Sequence, residues 1–542
     1  MRADDVVDCH VLVIGSGGAG ARAALEAVQY GETVMVSKTL TGKGGCTPMA
    51  EGGYNAVLRE LDSCPMHVED TLRGGAYLND PDLVDVLVSE APERIMDLIR
   101  WGAVFDVTDE REVAQRPFGG QRFPRTCYSG DRTGGEIMMT LLEQLRGSDV
   151  VQMQDTTVID LLTAGDRVCG AVALGRKGEM VVVRADATVL ASGGGTQVYD
   201  ISTNSAAGTG DGYALGYRAG AELIDMEMVQ FHPTGAVYPY DARGRLITEA
   251  VRGEGGILLN ASGERFMERY DPERKELSTR DVVARSIATE ILEGRGTEHG
   301  GVHLDVSHLP AATIEERLPI MLEQFLQFGV DIRTEPMEVA PTAHHIMGGL
   351  RITRSGETTV PGLYACGEVT GGVHGANRLG GNALADTQVF GKRAGETAGQ
   401  AFRRTTSIDP SQIAAQELRL CSFYDGEIGP SRIVRDLKVA MWNGAGIFRN
   451  EPDLSATGAT IDRLAALKPQ AASPANLVEC CTVENMLILS RLIVRGALAR
   501  RESRGAHVRR DIMQNWSGET SPFGHTFQSL VRRGIEKREV VA

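Results

Sequence analysis

An apolar run from His10 to Ile14 is followed by glycines, then by small and apolar residues from Ala21 to Tyr30. That pattern predicts a strand, a tight turn and a helix, and Thr33 to Val36 adds a second strand. Glu69 to Gly102 reads as mostly helical, and Glu136 to Arg146 as a further helix. Five short apolar runs predict strands: Val150 to Gln154, Val158 to Thr163, Val168 to Leu174, Met180 to Arg184 and Ala187 to Ala191. The character changes at Gln230 and stays changed to about His345. A strand-and-glycine pattern then resumes at Val360, followed by a helical run from Leu384 to Ala401.

Beyond Phe402 the periodicity is helical, over Pro410 to Cys421, Arg432 to Trp442, Leu454 to Leu467 and Asn476 to Ser503. The last run is dense in Leu477, Met486, Leu487, Leu489, Leu492 and Ile493, which predicts a buried helix. The chain therefore reads as α/β. A Rossmann-like nucleotide-binding domain covers 1–235 and resumes over 349–402. An α+β capping domain is inserted over 236–348, a helical domain covers 403–515, and an irregular tail covers 516–542.

Length agrees with several domains, since 542 residues exceed what one core usually holds. The 65 glycines point to tight turns and close backbone approach to ligands. A net charge of -16 argues against wrapping nucleic acid. The basic group Arg500, Arg501, Arg504, Arg509 and Arg510 is accordingly expected to be a helix end and a salt-bridged surface. Nine cysteines are scattered without CxxC pairs or zinc or iron–sulfur spacing, so no metal site is expected and reduced thiols are. No long apolar run predicts a membrane span. The N-terminus leaves no room for a signal peptide ahead of the first strand, so a cytoplasmic location is expected, with any membrane association through partner subunits.

The turn after the first strand is Gly15–Ser–Gly17–Gly18–Ala–Gly20, in the strand–glycine–helix–strand setting of a dinucleotide fingerprint. One glycine makes the turn, the next admits a pyrophosphate, and the last lets helix pack on strand. Ser37 and Lys38 stand where a nicotinamide enzyme usually carries an acid. The run Gly42–Lys–Gly–Gly45–Cys46–Thr47–Pro–Met–Ala–Glu51–Gly52–Gly53 reads as backbone lying against a flat ligand, or simply as a flexible loop. Gly193, Gly194 and Asp211 read as a second nucleotide contact, or as a turn with a capping acid. The stretch Gly375–Ala–Asn–Arg378–Leu–Gly–Gly–Asn382–Ala–Leu384 sets an arginine before a helix start, an arrangement suited to a carboxylate. Its plain alternative is a loop arginine in a surface ion pair.

Separated segments add His232, Thr248 with Glu249, Arg280 and His344. Each is unremarkable alone, but together they suit an anionic dicarboxylate. No nucleophile–base signature accompanies them, which leaves redox chemistry carried by a cofactor as the economical reading.

These motifs resemble the flavoprotein subunits of succinate dehydrogenases and fumarate reductases, from about His10 to Asp511. The resemblance rests on Gln–Phe–His232–Pro–Thr–Gly, Thr–Glu249–Ala–Val–Arg252–Gly–Glu–Gly–Gly, Thr–Arg280–Asp, Pro–Thr–Ala–His344, His374–Gly–Ala–Asn–Arg378–Leu–Gly, and Arg501–Glu–Ser–Arg–Gly–Ala–His507. It implies FAD along the nucleotide domain, with contacts from the glycine motifs and from Glu368, Asn382 and Leu384. It implies interconversion of fumarate and succinate between the flavin and the cap. His232, His344 and Arg378 would grip the carboxylates with help from Thr248. Arg280 would exchange the proton, relayed by Glu249 and Arg252.

Membrane-bound relatives carry a histidine joined covalently to FAD where this chain has Cys46, so non-covalent FAD is expected. L-aspartate oxidases share most of the motifs but use a glutamate for the substrate ammonium. Here Phe118–Gly–Gly–Gln121 stands there, and both residues are expected at the substrate. The segment from Gly44 to Val57 looks most like soluble, thiol-dependent fumarate reductases, which implies a separate iron–sulfur subunit. An L-aspartate oxidase, and a subunit that relays electrons without turnover of its own, are the alternatives.

Overall fold

A computed structural model describes residues 5–402, 408–512, 524–533 and 536–541. Its main sheet runs in the order Val151–Met153, Thr33–Val36, Asp5–Ile14, Met180–Leu190, Arg167–Gly175, Thr156–Ala164, with Leu363–Ala365 also on Met180–Leu190. The first four strands and Leu363–Ala365 are parallel, and the other two pair antiparallel. The central strand Asp5–Ile14 is enclosed over its C-terminal half. Val11, Leu12 and Val13 are fully buried, as a strand covered on both faces requires.

Helices Gly18–Ala27 and Asn382–Gly399 lie together against this sheet. They come close because glycines remove side chains at the crossing. A Cβ on Gly395 would stand 2.3 Å from the Ala23 carbonyl oxygen, and one on Gly391 2.8 Å from that of Ala19. Residues over 300 apart in sequence are thereby fixed against one another.

The segment following Gln230 builds its own apolar core around Val251, Phe266, Ile287, Leu304, Phe325 and Val339. Its antiparallel sheet runs Val229–Tyr238, Met337–Ile346, Val302–Asp305, Ile257–Leu259. The first two strands carry the chain into and out of this segment. Their register sets His232 opposite Thr342 and Phe231 opposite Ala343.

Among the described residues beyond 402, the α-helices are Pro410–Ser422, Pro430–Gly444, Glu451–Ala466 and Leu477–Ala499. The last is buried along Leu489, Leu492 and Ile493 and reaches the nucleotide-binding domain. Among the described residues, no helix is long and apolar enough to cross a membrane.

Several elements differ from the sequence reading. The two strands expected between Met180 and Ala191 are one, because the polar Arg184 and Asp186 alternate with buried neighbours. The long helix stops at Ala499, where Arg500 turns to extended backbone. The tail is not wholly irregular. Phe527–Arg533 and Glu536–Val541 pair antiparallel, and Phe527 and Gln528 add to the strand Leu223–Ile224. Residues 516–523, 534–535 and 542 of that tail lie outside the described residues.

The basic group is also not all surface. Arg500, Arg504 and Arg509 are buried, and Arg500 meets Asp225, Glu227 and Glu502 at 3.0, 2.6 and 2.8 Å. A helical charge pattern does not reveal Asp225 and Glu227, which arrive from the distant turn after Leu223–Ile224.

Candidate active site

One cavity is lined by the glycine motifs, by Arg280 and His344 of the inserted segment, and by Arg378 from the loop before helix Asn382–Gly399. On the nucleotide side, Gly15 adopts φ +115°, and a Cβ there would lie 2.2 Å from the Ala191 carbonyl oxygen. Gly17 and Gly18 open the following helix, and the Gly18 N–H donates to Thr47 Oγ1 at 2.9 Å. Gly20 stands off the cavity, where a Cβ would meet the Gly15 carbonyl oxygen at 2.0 Å. It serves the helix–strand packing read for it from the sequence.

Ser37 and Lys38 line the cavity at the end of the second strand. Lys38 Nζ reaches Asp211 at 3.0 Å and donates to Thr209 and to Thr482 of the C-terminal domain. Burial works against the Asp211 charge. Lys38 and hydrogen bonds from Asn485 and Thr209 nevertheless hold the carboxyl below its usual range.

Gly45, Cys46, Thr47, Gly52, Gly53, Gly193, Gly194, Glu368 and Leu384 also line the cavity. Cys46 Sγ donates to Asn204 Oδ1 at 2.7 Å, and burial, seconded by Glu368, pushes its thiol up to about 12. Burial pushes Glu368 up to about 7 against hydrogen bonds from Ile346 N–H and Asn204. Asn382, expected at the cofactor, stands away from it. It opens the helix but does not line the cavity, because its amide is engaged by Asn55, His67 and Thr71.

The residues present fit FAD. Gly45 and Gly193 have positive φ and nothing within 4 Å of a Cβ position, so backbone lies open to the cavity. Ser192 Oγ, Asp386 Oδ1 and His345 Nε2 are buried cavity-lining groups without partners among the described residues. A polar, extended dinucleotide satisfies such atoms.

On the other side, Phe118, His232, Thr248, Glu249, Arg280, His344 and Arg378 come together. The strand register brings His232 and His344 to a ring separation of 5.0 Å. Thr203 Oγ1 lies 2.9 Å from His344 Nδ1 and fixes that ring. Thr248 caps the short helix Glu249–Gly253 through Ala250 N–H. Arg280 opens its own helix and grips Glu249 Oε2 from Nε at 2.8 Å and Nη2 at 2.7 Å.

Arg252 lies behind Glu249, with Nη2 3.9 Å from it and Nη1 donating to the Glu276 carbonyl. It does not line the cavity. Gln121 does not line it either, contrary to expectation. Its Nε2 donates to the Gly380 carbonyl at 3.1 Å, because the tight turn at Gly120 directs it to that loop.

The sequence reading passed over Gln230 as a site residue, although it lies in the His232 motif. Its Oε1 accepts from both Arg280 Nη1 and Arg378 Nη2, at 3.3 and 3.1 Å, so one neutral amide spaces two cations. Glu51 and His345 also line the cavity. The position of Glu51 between glycines was the one signal for it. His345 was overshadowed by its neighbour.

The electrostatics favour an anion. Burial first, then the nearby arginines, hold His232 and His344 well below the ordinary imidazole range, so both are neutral donors or acceptors. Burial and the adjacent Arg280 pull Arg378 down to about 9, which leaves it charged at neutral pH. Burial opposes the Glu249 charge, but Arg280, Arg252 and the Gly119 N–H keep the carboxyl ionised. On the substrate side of the cavity two guanidinium groups thus face the one ionised carboxylate of Glu249, and an anion supplies the missing charge.

A dinucleotide cradle opening onto a buried cationic pocket defines a flavin-dependent oxidoreductase for a small anionic substrate. The FAD binding domain family matches residues 10–384, and the fumarate reductase flavoprotein C-terminal family matches residues 434–521. The chain is 53% identical to one subunit of the fumarate reductase (CoM/CoB) of Methanothermobacter marburgensis, covering 94% of this chain and 95% of that one. It is 39% identical to an L-aspartate oxidase of Streptomyces coelicolor, covering 93% and 89%. Its structure matches a mutant of E. coli quinol fumarate reductase FrdA with a TM-score of 0.92 and 33% identity, over 99% of this chain and 97% of that one. The chain belongs to the family of FAD-dependent fumarate reductase and succinate dehydrogenase flavoproteins.

Proposed function

We propose that this protein interconverts fumarate and succinate, and works as the FAD-bearing subunit of a fumarate reductase. The observation that carries this is the pairing of two cavity-lining arginines, Arg280 and Arg378, with two neutral histidines around one ionised carboxylate. A C4-dicarboxylate matches that charge and that spread of donors.

Arg378, His232 and His344 bind and orient the two carboxylates, with Thr248 beside them. The buried walls exclude water, which strengthens each of these contacts. FAD, when bound and reduced by two electrons, would supply a hydride for one alkene carbon. Arg280 gives a proton to the other carbon, and the two additions together convert fumarate to succinate. A guanidinium is ordinarily a reluctant acid, so the proton must be replaced at once. Glu249, ionised at rest and bonded to Arg280 at 2.7 Å, takes up a proton from Arg252 on its other side and hands it to Arg280, returning to its ionised form, and Arg252 is recharged in turn from solvent.

Phe118 packs the pocket wall. Cys46, held as a thiol against Asn204, leaves FAD bound without a covalent link. The likeness to one subunit of a fumarate reductase supports a partner subunit; in our reading that partner is an iron–sulfur subunit that donates the electrons, and the complex is cytoplasmic.

The test is anaerobic. FAD-loaded protein with reduced viologen should reduce fumarate, and L-aspartate should not bleach the oxidised flavin. Bleaching by aspartate without turnover of fumarate would refute the proposal and favour an aspartate oxidase. No reaction with either would favour an electron-relay subunit.

A further inference from the structure

The loop that carries Arg378 runs directly into the catalytic groups. A Cβ on Gly380 would lie 2.7 Å from Phe118, 2.9 Å from Glu249 Oε2 and 3.2 Å from Arg280 Nη2. The backbone of Gly380 is therefore pressed against the groups that would move the proton. Something must hold it from the opposite side, since two successive glycines offer little stiffness of their own.

Asn55 does so. It is wholly buried on the short strand Tyr54–Asn55. Its side-chain Nδ2 donates to the Gly380 carbonyl at 2.8 Å and to Asn382 Oδ1 at 2.7 Å. Its backbone N–H donates to the Gly381 carbonyl at 3.1 Å. Its Oδ1 accepts from Thr126 Oγ1 at 2.6 Å, which fixes the amide in one orientation. Gln121 Nε2 is the second donor to the Gly380 carbonyl.

Asn382, the first residue of the following helix, is held in turn by His67 and Thr71. Gly381 has φ +86°, and a Cβ there would meet Asn55 Oδ1 at 2.0 Å, so the fit between loop and amide leaves no spare room.

We propose that Asn55, seconded by Gln121, is a positioning residue that clamps the Gly380–Gly381 backbone and thereby sets Arg378 against the Glu249–Arg280 pair. Neither side chain lines the cavity, so neither touches substrate. The clamp is made of neutral amides, which hold direction without adding charge to a pocket whose balance selects an anion. The functional consequence rests on the dicarboxylate reading above. The clamp itself does not.

The test uses full-length, FAD-loaded protein. Asn55→Ala removes two side-chain donors, and Gln121→Ala removes one and serves if the first variant fails to fold. Loss of a buried hydrogen bond weakens what it holds by about tenfold. Amide hydrogen exchange across 375–386 should therefore speed by about tenfold in Asn55→Ala, and by less in Gln121→Ala, while peptides of the inserted segment stay unchanged.

Because Arg378 would grip substrate in ground and transition state alike, KM for fumarate should rise by about tenfold with kcat within about threefold. Exchange over 375–386 that matches wild type in whichever variant folds would overturn the clamp. Faster exchange with an unchanged KM would overturn its role in setting Arg378. If wild type neither binds nor reduces fumarate, the dicarboxylate reading fails, and the exchange arm still decides the clamp.

Discussion

Replacing Arg280 by glutamine tests the proposed proton path at its centre. The change keeps most of the side-chain length but removes the charge, the two bonds to Glu249 and the contact with Gln230. General acid catalysis contributes about 10²- to 10⁴-fold, so kcat should fall by about 10³-fold, or about 4 kcal/mol in the barrier. Arg378, His232 and His344 remain, so KM should stay within about tenfold.

The substitution also strips Glu249 of its nearest cation. Arg252 at 3.9 Å and the Gly119 N–H at 2.8 Å are left to support a buried carboxylate. Removing one partner of a buried pair costs about 3–5 kcal/mol, reduced here by those two groups. Melting temperature should drop accordingly, and adding Glu249→Gln should recover part of it without restoring turnover. The assay is viologen-linked fumarate reduction under nitrogen, with calorimetry on the same samples. A kcat within tenfold of wild type, or a double variant that regains activity, would remove Arg280 from the proton path.

Other outcomes follow from separate parts of the molecule. Gly20→Ala should abolish FAD loading, since its Cβ would sit 2.0 Å from a backbone oxygen; a normal flavin-to-protein ratio would refute that packing argument. Denaturation in acid should release all the flavin to the supernatant, and yellow colour retained on the polypeptide would show a covalent link at Cys46 or elsewhere. Burial, helped by Arg125, pulls the His67 imidazole down to about 4. Its folded pKa is thus below the unfolded value of about 6.5, so the unfolded chain binds more protons between the two. Its contribution is complete above about pH 6.5 and is lost as pH falls toward 4. Melting temperature should decline over that range, and His67→Gln should flatten the decline; an unchanged slope would refute the assignment.

Much of the nucleotide half was legible along the chain because its rules are local. A glycine turn between strand and helix has a sequence signature wherever it occurs, and Gly15, Gly17 and Gly18 lie where that signature puts them. The cationic half was legible only as separate fragments. Nothing local says that His232 and His344 share a pocket, because a strand register over 100 residues apart decides it. The burial of Arg500 escaped for the same reason, since two of its acidic partners, Asp225 and Glu227, are remote in sequence.

Gln121 and Asn382 show the limit most sharply. Both are polar, both flank glycine turns beside the site, and both were read as ligand contacts. The fold turns their amides onto backbone and neighbouring side chains instead. By itself the sequence determined the dinucleotide cradle, the set of anion-binding residue types and the absence of CxxC pairs. Tertiary structure alone decided which of those residues face the cavity, that Gln230 spaces two arginines, and that Asn55 holds the loop between them. The reason is geometric: a side chain's identity fixes what it can bond, but only its neighbours in space fix what it does bond.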